Sequence, residues 1–324
     1  MTNRNAVVIG ASSGGVDALR TLLNSLPSDF PAGVCAVLHL AASSPGSLPD
    51  VFSRGCALPV STAQDGEAFE PGRVYLAPPD RHLLLKPGRL RVVRGPRENR
   101  ARPAIDPLFR SAAVAYGSRL VGVILTGLLD DGSSGLAAVG RCGGVTVVQD
   151  PGDAAFPDMP LSALHAAGAD HCVGLRQLPE LLDRLVREEA APNLPAPSDI
   201  AAEADIAERV MSDVPKENRL GQPAPFGCPG CGGPLWEMED TNVKRYRCHV
   251  GHGYTAKTLL ANQSEVVEEA LWVALRTLEE RAAMLRRMTQ EGRGPSAQFG
   301  ERADEAEQQA LSIRSLLLSG LQVA

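Results

Sequence analysis

Residues 6–26 read AVVIGASSGGVDALRTLLNSL. AVVIG is a continuous apolar run of strand length. A Gly/Ser turn separates it from Val16, Leu19, Leu22, Leu23 and Leu26, which recur at helical spacing. The same alternation continues outward. VCAVLHL (34–40), GRVYLAPP (72–79), LVGVILTG (120–127) and GVTVVQD (144–150) are further strand-length runs, and helices are expected over 133–142 and 178–189. HLLLKPGRLRVV (82–93) predicts a hairpin around Lys86-Pro87-Gly88, and Asp106 is expected to cap a helix over 107–116. Apolar runs alternating with helices predict an α/β fold, a doubly wound sheet covered on both faces. The hairpin makes that sheet mostly, rather than wholly, parallel.

Composition narrows the function classes. The chain has 324 residues, 44% hydrophobic and 22% charged, which is a globular balance and about two domains' length. Its formal net charge of -6 gives no global attraction for nucleic acid. No apolar run reaches the ~20 residues of a spanning helix, so no membrane insertion is expected. Of seven cysteines, Cys35, Cys56, Cys142 and Cys172 stand singly, as buried thiols do, and only Cys228, Cys231 and Cys248 cluster. That usage points to a reducing, cytoplasmic setting.

Three predicted strand ends carry polar residues: Ser12 and Ser13 after the first strand, His39 after the second, and Asp130-Asp131-Gly132 after LVGVILTG. In open α/β sheets those ends converge on one edge. Serine is a poor nucleophile until a base takes its proton, histidine titrates in the right range, and a carboxylate fixes its tautomer. Taken singly, the serines read as helix caps, His39 as a structural histidine and Asp131 as a turn residue. Only joint placement favours chemistry. A dinucleotide-binding loop is the rival reading of Gly10–Gly15, but its third glycine would fall on Val16. Nor does any of Tyr75, Tyr116, Tyr246 and Tyr254 have a lysine four residues on.

IGASSGGVDALR, VLHL, GRVYLAPPDRHLLL, RPAIDPLFRSAA, GVILTGLLDDGSSGL, QDP and MPLSAL occur in that order. On these blocks residues 5–187 resemble the catalytic domain of CheB-type protein-glutamate methylesterases. The resemblance implies a serine hydrolase that demethylates glutamyl methyl esters on chemoreceptors, opposite a cognate methyltransferase, and commonly deamidates receptor glutamines. It needs no catalytic cofactor. Position by position, it makes Ser12 the nucleophile, His39 the general base and Asp131 its orienting carboxylate, with backbone donors near Ser13 and Leu128 for the oxyanion. Asp130 receives no role. The sequence departs from the family pattern at Leu128-Leu129, where Met-Gly is usual, at Ala104 in place of Ser, and at Asp158 in place of Gly. If position 129 takes a positive φ, the leucine is strained there. The family's usual N-terminal receiver does not precede the first strand, so control is expected to come from elsewhere. These departures also leave a second reading: a catalytically weakened signalling adaptor of the same fold.

Residues 188–225 turn Ala-, Pro- and acid-rich and read as a linker holding one amphipathic stretch, Ile200, Ala204, Ala207, Val210, Met211 and Val214. Cys228-Pro-Gly-Cys231 followed by Cys248-His249-Val250-Gly251-His252 carries metal-ligand spacing, with His252 favoured over His249 as fourth ligand. Residues 226–256 resemble a small zinc-ribbon module, for which a structural zinc is expected. The adjacent Lys244-Arg245-Tyr246-Arg247 reads as a solvated strand rather than a nucleic-acid contact. Within 257–322, Val267, Leu271, Ala274, Leu278, Leu285 and Met288, then Phe299, Ala303, Ala306, Ala310, Ile313, Leu317 and Gly320, fall on 4-3 spacing around the break at 291–296. They predict an antiparallel helical hairpin whose stripe is a structural seam or an oligomer interface.

Overall fold

The computed structural model describes residues 3–208, 221–238, 243–290 and 296–318, which divide into two compact units, Met1–Thr258 and Leu259–Ala324. In the first unit β1 (Ala6–Ala11), α1 (Gly15–Asn24), β2 (Gly33–Leu38), α2 (Leu48–Ser53), β3 (Val60–Thr62) and β4 (Val74–Leu76) come first. β5 (His82–Lys86), β6 (Arg89–Val93) and α3 (Ile105–Tyr116) follow. Then come β7 (Leu120–Ile124), α4 (Ser133–Arg141), β8 (Val145–Gln149), α5 (Asp158–Ala167), β9 (His171–Val173) and α6 (Leu178–Arg187). Seven strands form one sheet in the order β3-β4-β2-β1-β7-β8-β9, with every pairing parallel. The chain winds outward from β1 in both directions, so the ends of β1, β2 and β7 border the crevice where such folds hold their ligands.

Both faces of this sheet are covered. Ala6 and Val8 belong to a core with Leu108, Phe109, Leu136 and Ala163 from α3, α4 and α5. Val7 and Ile9 belong to another with Leu19, Leu22, Leu182 and Leu185 from α1 and α6. Burial on two sides is why these strands read as unbroken apolar runs instead of alternating ones.

Four expectations are corrected. The 82–93 hairpin is antiparallel and forms a two-stranded sheet separate from the main one, which is parallel throughout. Asp106 does not cap its own helix: α3 begins at Ile105, and the Asp106 carboxylate instead accepts from the N–H groups of Gly132 (3.1 Å) and Gly135 (2.6 Å) at the start of α4. Cys172 is exposed, because β9 is the edge strand of the sheet. The fourth is the strand Arg245–Cys248, which is buried along its length and not solvated.

That burial follows from residues the composition assigned to a linker. α7 (Ser198–Glu208) packs Ile200, Ala204 and Ala207 inward and buries Glu203 with them. Val210, Met211 and Val214 of the expected stripe lie outside the described residues. β10 (Gly221–Gly227), β11 (Pro234–Met238), β12 (Arg245–Cys248) and β13 (Gly253–Thr255) form an antiparallel sheet in chain order, which begins before residue 225. Arg245 binds both oxygens of Glu203 at 2.5 and 2.7 Å, Arg247 reaches Glu98 at 3.1 Å, and Arg110 of α3 pairs with Glu98 and lies 3.7 Å from Glu203. Burial alone would raise the Glu98 and Glu203 carboxyls. The surrounding guanidiniums, Arg110 with Arg247 for one and Arg245 with Arg110 for the other, outweigh it and hold both at about 2.

The second unit holds the remainder of helix Ala256–Gln290 together with Ser296–Leu318. Arg286 pairs with Asp304 and Glu307, and Glu279 pairs with Arg314, so the two helices run antiparallel. Leu275, Ala282 and Leu285 are buried, as are Ala303, Ala306 and Ala310. The seam is therefore shifted from the expected stripe at its first end, where Val267 is 48% exposed. Residues 291–295 and Gly320 lie outside the described residues. No described helix is long and apolar enough to cross a membrane.

Removing one member of a buried ion cluster strands the opposite charge. Glu203→Ala is expected to cost about 3–5 kcal/mol, whereas Asp199→Ala, which breaks the partly exposed Arg141 pair, costs under about 1 kcal/mol in thermal or urea melting. Because both carboxyls titrate below their ordinary 4.5 in the folded chain, their stabilisation is complete above that pH and is lost as pH falls toward 2. An acid melting series on the wild type and on Glu203→Gln measures this difference.

Candidate active site

Ser12 follows β1 and turns the chain into α1. Its own N–H is held by the Thr126 carbonyl at 3.0 Å, and its carbonyl accepts from Gly15 N–H at 2.8 Å. Gly14 takes φ 73° in this turn, and α1 carries no side-chain cap, so neither Ser12 nor Ser13 serves as one. His39 follows β2, and Asp131 lies in the loop between β7 and α4. The three side chains meet: His39 Nδ1 lies 3.1 Å from Ser12 Oγ, and His39 Nε2 lies 2.7 Å from Asp131 Oδ2. An acceptor-only carboxylate at Nε2 requires that nitrogen to carry the proton, which leaves the Nδ1 lone pair free to accept from the serine hydroxyl.

Asp131 is almost completely buried and collects four further donors. Ile105 N–H (2.7 Å) reaches Oδ2, while Asn99 Nδ2 (2.8 Å), Gly132 N–H (3.0 Å) and Asp106 N–H (3.3 Å) reach Oδ1. Burial pushes this carboxyl up, but the His39 contact and these donors pull it below the usual range. Asp106 beside it is driven upward by burial and by the Asp131 charge. Asp130 points elsewhere, accepting from Thr255 Oγ1 at 2.9 Å.

Around the serine, Thr126 ties the loops together: its hydroxyl donates to Ser13 O (3.0 Å) and accepts from Phe156 N–H (2.8 Å). Gly127 is needed for close approach, since a Cβ there would sit 2.2 Å from Met159 Sδ and 2.9 Å from Ser12 Cβ. Leu128 is 46% exposed at the mouth. Among the described residues no backbone acceptor engages the N–H of Ser13 or of Leu128. Asp158 opens α5 with ordinary helical backbone, so a side chain costs nothing there. Leu129 is different: its φ is 64°.

Sequence reasoning missed Asn99 and Thr126. Neither belongs to a spacing pattern, and only contacts across the fold identify them. The one available cue for Asn99 is its residue type, since it holds φ 48°, a conformation asparagine tolerates.

The four metal-type side chains also converge. Cys228, Cys231, Cys248 and His252 place one donor each within 4.8 Å of one another. Three of the separations, Cys231–Cys248, Cys228–His252 and Cys248–His252, are 3.6 Å. A tetrahedral zinc with Zn–S of about 2.3 Å has donor–donor edges near 3.5–3.8 Å, so the set fits such an ion. Thiolates this close repel without a cation: hydrogen bonding from Cys248 and His252, working against burial, draws the Cys228 thiol far down, while Cys228 in turn pushes Cys248 up. His249 is directed away and packs on Trp236, with ring centroids 3.9 Å apart.

A leucine at positive φ is strained by about 1–2 kcal/mol, and a β-branched residue by more. Leu129→Gly is therefore expected to melt at or above the wild-type temperature despite losing a half-buried side chain, and Leu129→Val several degrees below it.

The CheB methylesterase family model matches residues 7–182. A Leptospira interrogans relative named for protein-glutamate methylesterase/protein-glutamine glutaminase is 39% identical over 184 residues, covering 56% of this chain and 95% of its own. An Anaeromyxobacter dehalogenans protein-glutamate methylesterase/protein-glutamine glutaminase is 42% identical over 198 residues, of which the match spans 57% of this chain and 52% of the relative. The crystal structure of the Thermotoga maritima CheB methylesterase catalytic domain superposes with TM-score 0.54 at 34% identity, over 57% of this chain and all of that one. Half of this chain carries the family's match on the sheet that bears Ser12, His39 and Asp131, and the chain belongs to the CheB methylesterase family.

Proposed function

We propose that this protein is a cytoplasmic serine hydrolase that removes methyl groups from glutamyl esters on chemoreceptor-type signalling proteins. The observation that carries this reading is the Ser12–His39–Asp131 hydrogen-bond relay at the edge of a CheB-family sheet. Ser12 Oγ attacks the ester carbonyl as His39 Nδ1 takes its proton. The buried Asp131 carboxylate holds the Nε2 proton and stabilises the imidazolium. The N–H groups of Ser13 and Leu128 are free to receive the oxyanion, each donor being worth about 3 kcal/mol of barrier. Methanol leaves with the proton from Nδ1. Water, deprotonated by the same nitrogen, then attacks the acyl-serine and releases the glutamate. A glutamine side chain at the same site would release ammonia instead.

Cys228, Cys231, Cys248 and His252 would hold a structural zinc, with four protein ligands and no open position for chemistry. Its contribution is to tie β12 to the Cys228–Cys231 turn.

The test is methanol release from a methylated receptor fragment. Ser12→Ala and His39→Ala are expected to lower kcat by about 10⁴-fold or more, and Asp131→Asn by about 10³–10⁴-fold. Unchanged release in Ser12→Ala would overturn the assignment. Purified protein is expected to contain about one zinc per chain, lost in Cys231→Ser and His252→Ala but retained in His249→Ala. Elemental analysis of the same preparations measures it.

A further inference from the structure

The strand that follows the cysteine–histidine cluster leads directly to the support of the triad. After His252, β13 runs alongside residues 97–99: Asn99 N–H donates to Gly253 O at 2.9 Å, and Gly253 N–H donates to Arg97 O at 3.3 Å. The Asn99 side chain is then gripped at both ends. Its Oδ1 accepts from Thr255 N–H (3.1 Å) and Thr258 Oγ1 (3.2 Å). Its Nδ2 donates to Asp131 Oδ1 (2.8 Å) and Asp106 Oδ2 (2.9 Å). One residue before Asp131 in the β7–α4 loop, Asp130 accepts from Thr255 Oγ1, which also contacts Thr258 Oγ1 at 2.9 Å.

A planar amide loaded in this way transmits position. If β13 shifts, Oδ1 moves with it, and the rigid amide carries Nδ2 away from Asp131. The carboxylate can then rotate about its remaining backbone donors, and His39 loses its fixed orientation. No carboxylate can replace this amide, because Asp106 and Asp131 already share the cavity and both need a donor from this side. The left-handed backbone at residue 99 further narrows the choice to residues that tolerate it.

We propose that Asn99 is a positioning residue for the triad carboxylate, set in place by Thr255 and Thr258. By this route the order of the cysteine–histidine cluster, three residues before Thr255, controls turnover at Ser12. The proposal rests on the esterase reading given above for the rate measurements, but its spectroscopic test does not.

The experiment uses the full chain with zinc bound. Methanol release gives kcat and KM, and the downfield proton resonance of the His39–Asp131 hydrogen bond reports triad geometry without turnover. Asn99→Gly deletes the amide at no backbone cost. It is expected to lower kcat roughly 10- to 100-fold with KM within about twofold, and to shift or broaden the resonance. Thr255→Val is expected to lower kcat several-fold, and Thr255→Ser to restore it, at similar melting temperatures. Removing zinc with a chelator is expected to broaden the same resonance while the circular dichroism of the α/β sheet persists, and re-added zinc to restore it. If Asn99→Gly and Thr255→Val leave both kcat and the resonance unchanged while Ser12→Ala abolishes release, the coupling is wrong and the esterase stands. If wild type releases no methanol, the esterase reading fails. The resonance comparison then still decides the coupling: a response to Asn99→Gly and to zinc removal upholds it, and none overturns it.

Discussion

A single buried negative charge organises the centre of this protein. Asp131 is buried from bulk solvent, and a bare carboxylate in such a place would cost several kcal/mol. It is kept ionised by His39, by the Asn99 amide and by three backbone N–H groups, those of Ile105, Asp106 and Gly132. Two of those amides are the first of α3, so the carboxylate also occupies the positive end of that helix. Asp106 does the reverse, leaving α3 to accept from Gly132 and Gly135 at the start of α4. The two helices thus exchange caps. Each carboxylate is solvated by the other's helix terminus, and this allows two acids to sit side by side beneath the histidine.

Polarity elsewhere in the first unit follows the same rule. Three arginines and two glutamates are removed from water together, on α3, α7, β12 and the loop before Asn99. Their desolvation is offset mainly by mutual contact, so the cluster does more to specify how the cysteine-bearing sheet sits on the parallel sheet than to add stability. Asn99 lies next to Glu98 in sequence, and the ion cluster and the triad support therefore share one short loop. Order in the four-stranded sheet and order at Asp131 are physically linked through it.

Local patterns left clear marks in the chain wherever one element's environment is set by its own neighbours in sequence. β1, β2 and β7 could be read because burial on both faces demands unbroken apolar runs, and the turn after β1 because only Gly and small residues pass through it. The zinc-type spacing of Cys228, Cys231, Cys248 and His252 was legible since a knuckle is a local object, and His249 was separable because it adjoins Cys248. Arg245 and Arg247 misled for the converse reason. A basic strand looks solvated until acids from α7 and from residue 98 are folded against it. The hairpin at 82–93 likewise announces its own pairing and says nothing about which sheet it joins.

By itself the sequence determined the α/β alternation, the strand ends that carry Ser12, His39 and Asp131, and the family to which those blocks are similar. These follow from periodicity and from short-range backbone geometry. Only the tertiary structure decided which nitrogen of His39 faces the serine, that Leu129 takes a positive φ, that Asp106 caps a neighbouring helix, and that Asn99 stands between Thr255 and Asp131. The placements of His39, Asp106 and Asn99 depend on hydrogen bonds between residues tens to more than a hundred positions apart. A buried donor has no preferred partner in sequence, only the nearest unsatisfied acceptor once the chain has folded.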